Sequence, residues 1–177
     1  ERLRSGFPEA KYIDISGLLS ADDFYYTDSH WRQERITKVA DEIAAQMGAE
    51  RIGTCEIQDT GRPFYGVYYG QAALPHAPER LFYLDNAVIR GLQVYNVETQ
   101  SDIPVYDLGA AAGRDPYEMF LGGARSIIKI TNPNAAQERR LIVFRDSFGS
   151  SIAPLLTAGY SEITLVDIRY ISPLSLG

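Results

Sequence analysis

The chain has little of several things that usually decide what a protein does. It carries one cysteine, Cys55, in 177 residues, which excludes an intramolecular disulfide framework and a cysteine-rich metal site. That scarcity does not settle the compartment, because many exported bacterial proteins also lack disulfides. No apolar run approaches the roughly 18 residues of a transmembrane helix. Basic residues are outnumbered, 17 against 23 acidic, and they do not cluster. With a formal net charge of −6 and a pI near 4.9, the chain offers no footprint for a phosphate backbone, and nucleic acid is not an expected partner. An anionic surface says nothing against a neutral sugar. The first residue is Glu1 rather than Met, so the expectation is a processed or truncated piece, with any signal or membrane anchor upstream.

What is present is ordinary for a globular protein: 45% hydrophobic and 23% charged residues, in a length that suits one domain over 1–177 with a full core. The run Lys11-Tyr12-Ile13-Asp14-Ile15 reads as a short strand stopped at Ser16-Gly17. Ile36, Val39, Ala40, Ile43, Ala44 and Met47 recur at helical spacing, with Gly48 as the stop and charged residues on the opposite face. Residues 54–108 look different. Phe64-Tyr69, Arg80-Leu84, Val88-Val97 and Ile103-Leu108 are short β-prone stretches separated by turn residues, which reads as a β-rich insertion. It is also rich in tyrosine, and Tyr65, Tyr68, Tyr69, Tyr83, Tyr95 and Tyr106 are either core or a sugar-stacking platform.

The last third alternates. Ser126-Ile130 is a strand, Asn132-Gln137 a turn, and Leu141-Phe144 a buried strand. A helix over 150–158 and a strand at Glu162-Val166 complete a strand–helix–strand unit that implies parallel pairing. No repeat, low-complexity tract or linker interrupts the chain. The expected fold class is α/β with a mostly parallel sheet.

Two polar islands interrupt this pattern. Thr27-Asp28-Ser29-His30-Trp31 precedes the first helix, and Arg145-Asp146-Ser147-Phe148-Gly149 follows the strand 141–144. In open α/β sheets reacting groups gather beyond the carboxyl ends of strands, where Ser147 would sit with helix-start N–H groups beside it. Taken alone, Asp146-Ser147 reads as a helix cap and Asp28-x-His30 as a surface turn. Taken together they supply a serine nucleophile, a histidine base and an acid that fixes the histidine's tautomer. Trp31 either walls the site against water or packs under the helix. A metal reading of Asp28 and His30 fails for want of a third His or Cys ligand. The other histidine, His76, sits in a loop-like Leu74-Pro75-His76-Ala77-Pro78 setting with no acidic neighbour.

Thr27-Asp28-Ser29-His30-Trp31 before an amphipathic helix, with Asp146-Ser147-Phe148-Gly149 much later, resembles the SGNH-hydrolase-like proteins of bacterial polysaccharide acetylation. The likeness is to the DHHW group of Gram-positive bacteria, related to the alginate O-acetylation proteins J and X. Tyr117-Glu118-Met119-Phe120-Leu121-Gly122-Gly123 and Leu165-Val166-Asp167-Ile168-Arg169-Tyr170 extend it. The order is permuted relative to ordinary SGNH esterases, with Asp-x-His first and serine last.

The resemblance implies an SGNH-like three-layer sandwich and an extracytoplasmic O-acetyltransferase or acetylesterase. Ser147 would be the nucleophile, His30 the base and Asp28 its orienting acid, with an oxyanion N–H from Gly122 or Gly123. The substrate would be a polysaccharide or acylated sugar, with a membrane-bound O-acyltransferase as a partner and no cofactor or metal. Arg169 and Tyr170, at a strand end, would contact substrate or serve structure through Asp167. Three positions depart from the family pattern. Arg145 replaces a glycine, Ser29 the first of two histidines, and Ala124-Arg125 stands where an oxyanion asparagine is expected. Arg125, or a loop residue such as Asn132, then takes that task, or activity is weakened or lost. The rival expectation is a catalytically silent carbohydrate-binding or scaffold subunit.

Overall fold

The computed structural model describes residues 9–72 and 76–171. Helix α1, Thr37–Gln46, buries Val39, Ala40 and Ala44 on one face. Gly48 closes it at φ +60°, with Gly48 N–H on the Ala45 carbonyl and Ala49 N–H on the Ala44 carbonyl. This paired 6→1 and 5→2 closure needs the left-handed residue that glycine supplies without strain.

Strand β1, Glu56–Phe64, pairs antiparallel with β2, Glu79–Asp85, in a separate two-stranded sheet. Helix α2, Val67–Ala72, lies between them in sequence, and helix α3, Ala87–Arg90, follows β2. A five-stranded sheet holds β3, Gln93–Asn96; β4, Ser101–Ile103; β5, Ile127–Thr131; β6, Arg140–Phe144; and β7, Glu162–Val166. The strand order is β4-β3-β5-β7-β6. Helix α4, Phe148–Ile152, with a 3₁₀ continuation over Ala153–Gly159, connects β6 to β7. Pro154 has no N–H to extend the α ladder, which accounts for the tighter continuation.

The architecture is therefore α/β with two sheets, one of them mixed. The expected mostly parallel sheet is corrected: only β6 and β7 run parallel, and β3–β4, β3–β5 and β5–β7 are antiparallel. A parallel pair needs a long crossover, which α4 provides. The four-residue connection from β3 to β4 permits only a hairpin. The stretch 54–108 divides, its first half forming the separate sheet and its second half joining the main one.

Several local expectations also change. Lys11-Ile15 forms no strand, because the Asp14 carboxylate accepts the Ser16 N–H at 3.0 Å and turns the chain. Phe64-Tyr69 splits between the end of β1 and α2, while Asn86 caps Ile89 N–H at 3.0 Å and makes 87–90 helical. In the stretch Ile103-Leu108 only Ile103 is in a strand, since Asp107 accepts the N–H groups of Gly109 and Ala110 and starts a turn. Strand β6 is not buried. It lies at the sheet edge, with Ile142 64% and Phe144 59% exposed, and only Leu141 and Val143 face the core.

Two apolar clusters hold the molecule. The larger packs Val39 and Ala40 of α1 and Leu155 against Ile128, Ile130, Ile163 and Leu165 of the sheet. The smaller, of Tyr25, Phe64, Leu81, Tyr117, Met119 and Phe120, joins the two-stranded sheet to the segment before β5. Full burial of side chains of this size contributes about 1.5–3 kcal/mol each.

Candidate active site

The carboxyl ends of β6 and β7 and the amino end of β5 lie at one edge of the sheet, because Phe144 pairs with Val166 and Val166 with Ile127. Ser147 stands three residues beyond Phe144 in helical conformation, φ −62° and ψ −27°. The cap reading holds for its neighbour. Asp146, not Ser147, accepts the Phe148 N–H at 3.0 Å. That leaves the Ser147 hydroxyl unspent on the helix.

His30 reaches that hydroxyl. Its Nε2 is 2.7 Å from Ser147 Oγ, and its Nδ1 is 2.5 Å from Asp28 Oδ1. The same Asp28 oxygen accepts the His30 backbone N–H at 2.9 Å, and Asp28 Oδ2 accepts the Val67 N–H at 3.0 Å. Asp28 is buried, which by itself raises its pKa. The hydrogen bonds from His30 and Val67 outweigh burial and hold the carboxyl below the usual carboxylate range. An ionised acid on Nδ1 fixes the tautomer whose Nε2 is free to take a proton.

Residues far along the chain hold the Asp28 turn. Glu79, at the start of β2, accepts the N–H groups of Tyr26 and Thr27 at 3.1 and 2.9 Å, and the Thr27 hydroxyl at 2.7 Å. Gly66 donates to Thr27 Oγ1 at 3.1 Å and packs so tightly that an added Cβ would lie 2.2 Å from the Thr27 carbonyl oxygen and 2.4 Å from Asp28 Cβ. The His30 ring stacks on Tyr117, centroids 4.0 Å apart and 14° from parallel, with Phe148 tilted at 5.2 Å on it as well. Tyr117 in turn donates to Ser151 Oγ at 2.7 Å, and burial raises its pKa far above the ordinary tyrosine value. It therefore remains a neutral phenol. No motif in the sequence marks Glu79, Gly66, Val67 or Tyr117 for this role: Gly66 and Val67 fall in the β-prone stretch Phe64-Tyr69, and Tyr117 in a segment that extends the family resemblance.

The loop Leu121-Gly122-Gly123 runs through three consecutive left-handed residues, φ +53°, +70° and +72°. Leu121 is fully buried and its N–H is held by the Val105 carbonyl at 3.0 Å, so packing imposes a conformation that costs a non-glycine residue energy. Gly123 gives its N–H to the Phe120 carbonyl at 3.1 Å, which removes it as an oxyanion donor. The N–H groups of Gly122 and Ser147 make no hydrogen bond among the described residues. Arg145 ties this loop to the serine turn. Its guanidinium donates to the Gly123 and Arg125 carbonyls at 3.2 and 3.3 Å and to Ser150 Oγ at 2.9 Å, and lies 3.6 Å from Asp167. Burial and the neighbouring Arg169 pull its pKa down, against the opposing pull of Asp167.

Other expected contributors lie elsewhere. Trp31 does not wall the site. It is buried under α4, its Nε1 on Ser151 Oγ at 2.8 Å and its ring edge-on to Phe148. Asn132 follows β5 at the opposite edge of the sheet, its amide spent on the Thr157 carbonyl at 3.0 Å, and so cannot serve an oxyanion. Among the described residues, the exposed Arg125 guanidinium hydrogen-bonds only to the carbonyl of its neighbour Ala124, at 3.4 Å. Arg169 is doubly bonded to Asp167, at 2.9 and 2.6 Å, with Tyr170 beside its guanidinium. It still lines a hollow of about 500 Å³ with Asp146 and Gly149, next to the serine turn. His76 is exposed, apart from the triad, against the Ala77 carbonyl. Among the described residues no group of three or more His, Cys, Asp or Glu side chains could hold a metal ion.

Fold and site together define an α/β protein with a Ser-His-Asp constellation at a sheet edge. No protein-family model matches the chain, and no curated protein matches it. Solved structures do share its fold. A DHHW family protein from Eubacterium siraeum DSM 15702 superposes with a TM-score of 0.66 at 21% identity, over 85% of this chain and 52% of its own. Bacillus cereus PatB1 with a sulfonyl adduct gives 0.67 at 19% identity, over 97% and 59%. A second PatB1 structure gives 0.63 at 22%, over 84% and 55%. This chain thus spans between half and three fifths of the length of those proteins. The resemblance to the DHHW group noted in the motifs is matched by a shared fold.

Proposed function

We propose that this chain forms the SGNH-like three-layer sandwich of an extracytoplasmic O-acetyltransferase or acetylesterase acting on a polysaccharide. The observation that carries the reading is the continuous chain from Asp28 through His30 to Ser147, at 2.5 and 2.7 Å. In it His30 Nε2 takes the Ser147 proton as Oγ attacks the acetyl carbonyl carbon. The tetrahedral intermediate collapses, the donor's oxygen leaves with the proton from His30, and acetyl-Ser147 remains. His30 then deprotonates a sugar hydroxyl or water, which attacks the acetyl-enzyme and frees the serine. The N–H groups of Ser147 and Gly122 would receive the oxyanion, each well-placed donor worth roughly 3–4 kcal/mol. A membrane-bound O-acyltransferase would supply the acyl group in the transferase case.

A second reading, a silent scaffold subunit of a polysaccharide-modifying complex, draws on the Gly123 N–H being occupied and on Ala124-Arg125 replacing the asparagine. Hydrolysis of p-nitrophenyl acetate separates the two. Activity should fall by about 10³-fold or more in Ser147→Ala and His30→Ala, with the fold intact. A sulfonyl fluoride should label the parent protein and not Ser147→Ala. If all three proteins behave alike, the scaffold reading stands. Acetyl recovered on an added oligosaccharide identifies the transferase.

A further inference from the structure

Two adjoining hollows lie along the Asp28 flank of the triad. The larger, about 730 Å³, is lined by Tyr65, Val67 and Tyr69 together with Arg114, Asp115 and Glu118; the Asp115 carboxylate is spent on the Tyr117 N–H at 3.1 Å. The smaller, about 340 Å³, is lined by Arg62, Tyr65 and Arg114 with two prolines. Sharing Tyr65 and Arg114, they form one groove. Its inner end is set by the site itself. Val67 is the residue whose N–H holds Asp28, and Glu118 follows Tyr117, on which His30 stacks.

The chemistry along the groove is uneven. The outer hollow has two arginines and no acidic side chain. Neither guanidinium makes a hydrogen bond or ion pair among the described residues, whereas Arg80 on the neighbouring strand is paired with Asp59. Tyr65 is 41% exposed and tilted at 50° to Tyr69, centroids 4.6 Å apart, so an aromatic surface faces the same space. An aromatic ring takes the C–H face of a sugar, and a guanidinium fork takes a carboxylate in two parallel hydrogen bonds. A net charge of −6 gives no long-range steering to an anion, so selectivity here comes from contact.

We propose that this groove binds an anionic glycan, seating a carboxylate-bearing sugar on Tyr65 between Arg62 and Arg114 and presenting the adjoining sugar to Ser147. The proposal rests on the triad being an O-acyl transfer site, but its test does not need turnover. Calorimetric titrations would use the Ser147→Ala protein with an α-1,4-galacturonate hexamer, a neutral cellohexaose and a glycerol-phosphate hexamer. The galacturonate should bind at least about tenfold more tightly than either other ligand, a preference lost in Arg62→Ser/Arg114→Ser. Tyr65→Ala should weaken all sugar binding, with the thermal midpoint of each variant confirming that it folds. Equal binding of the neutral hexamer, tighter binding of the phosphate oligomer, absence of binding, or an unaltered preference in the double variant overturns it. The ligand series stands without the variants should they fail to fold. Binding with the expected preference in a protein whose parent never hydrolyses an acetyl ester would sink the catalytic reading and leave the groove.

Discussion

Ser147 is placed by its neighbours in the chain, whereas Asp28 and His30 are placed by residues 39 and 52 positions away. The serine turn follows from one strand end, one capping aspartate and one short helix. The Asp28 turn is irregular backbone, and without Glu79, Gly66 and Val67 its carboxylate would keep the bond from the His30 N–H but lose the clamp that holds the turn against the second sheet. The serine can therefore be placed locally, while the Asp28–His30 pair that meets it depends on a second sheet. This gives the two-stranded β1–β2 unit a task at the site, beyond supporting a groove.

The largest test of that contrast is Gly66→Ala. Its Cβ has no room against Thr27 and Asp28, so the turn must shift and hydrolysis should fall about 100-fold, as misplacement by an ångström can cost. The far-downfield proton resonance of His30 Nδ1 should vanish with it. Unchanged kinetics would mean that the clamp is dispensable. Glu79→Ala comes next. It strands two backbone N–H groups and the Thr27 hydroxyl, which should cost about 1–3 kcal/mol in urea unfolding and lower kcat more than it raises KM.

Acidification probes both halves together. Asp28, and Asp167 behind Arg145, both have carboxyl pKa values below the ordinary 3.8. The unfolded chain binds these protons first as pH falls. Their stabilisation is thus complete above 3.8 and lost as pH drops through the folded values. The thermal midpoint measured against pH should fall on that acid limb, and less steeply in Asp28→Asn. The smallest effect is expected at the serine turn. Asp146→Ala removes a helix cap worth about 1 kcal/mol and should leave hydrolysis within a few-fold, because the strand end and the helix still place the turn and the Ser147 hydroxyl takes no part in that bond.

The same contrast explains what could be read from the sequence. Asp28, His30 and Ser147 were legible because their chemistry fits into short motifs. The α1 helix, β7 and the 141–144 strand were legible by period and punctuation. Burial of that strand was not, since four consecutive apolar residues look alike at the centre and at the edge of a sheet. The pairing directions escaped because they depend on partners rather than on each strand's own residues. Glu79 and Gly66 carry no local signature, as an acid at a strand start and a glycine after a tyrosine are commonplace. In the sequence Arg145 is a member of the second polar island and a departure from the family's glycine, with no sign of a structural role. Its work, joining the Gly123–Arg125 backbone to the serine turn, is visible only in three dimensions.

The His30–Ser147 contact closes a loop across 117 positions of sequence. While the chain is being made, or whenever it is unfolded, the serine has no base, and it is an ordinary alcohol. Long-range closures of this kind come late in folding, after local turns and helices have formed. The arrangement that would make Ser147 reactive is therefore a property of the finished molecule alone, and the half-made chain lacks it.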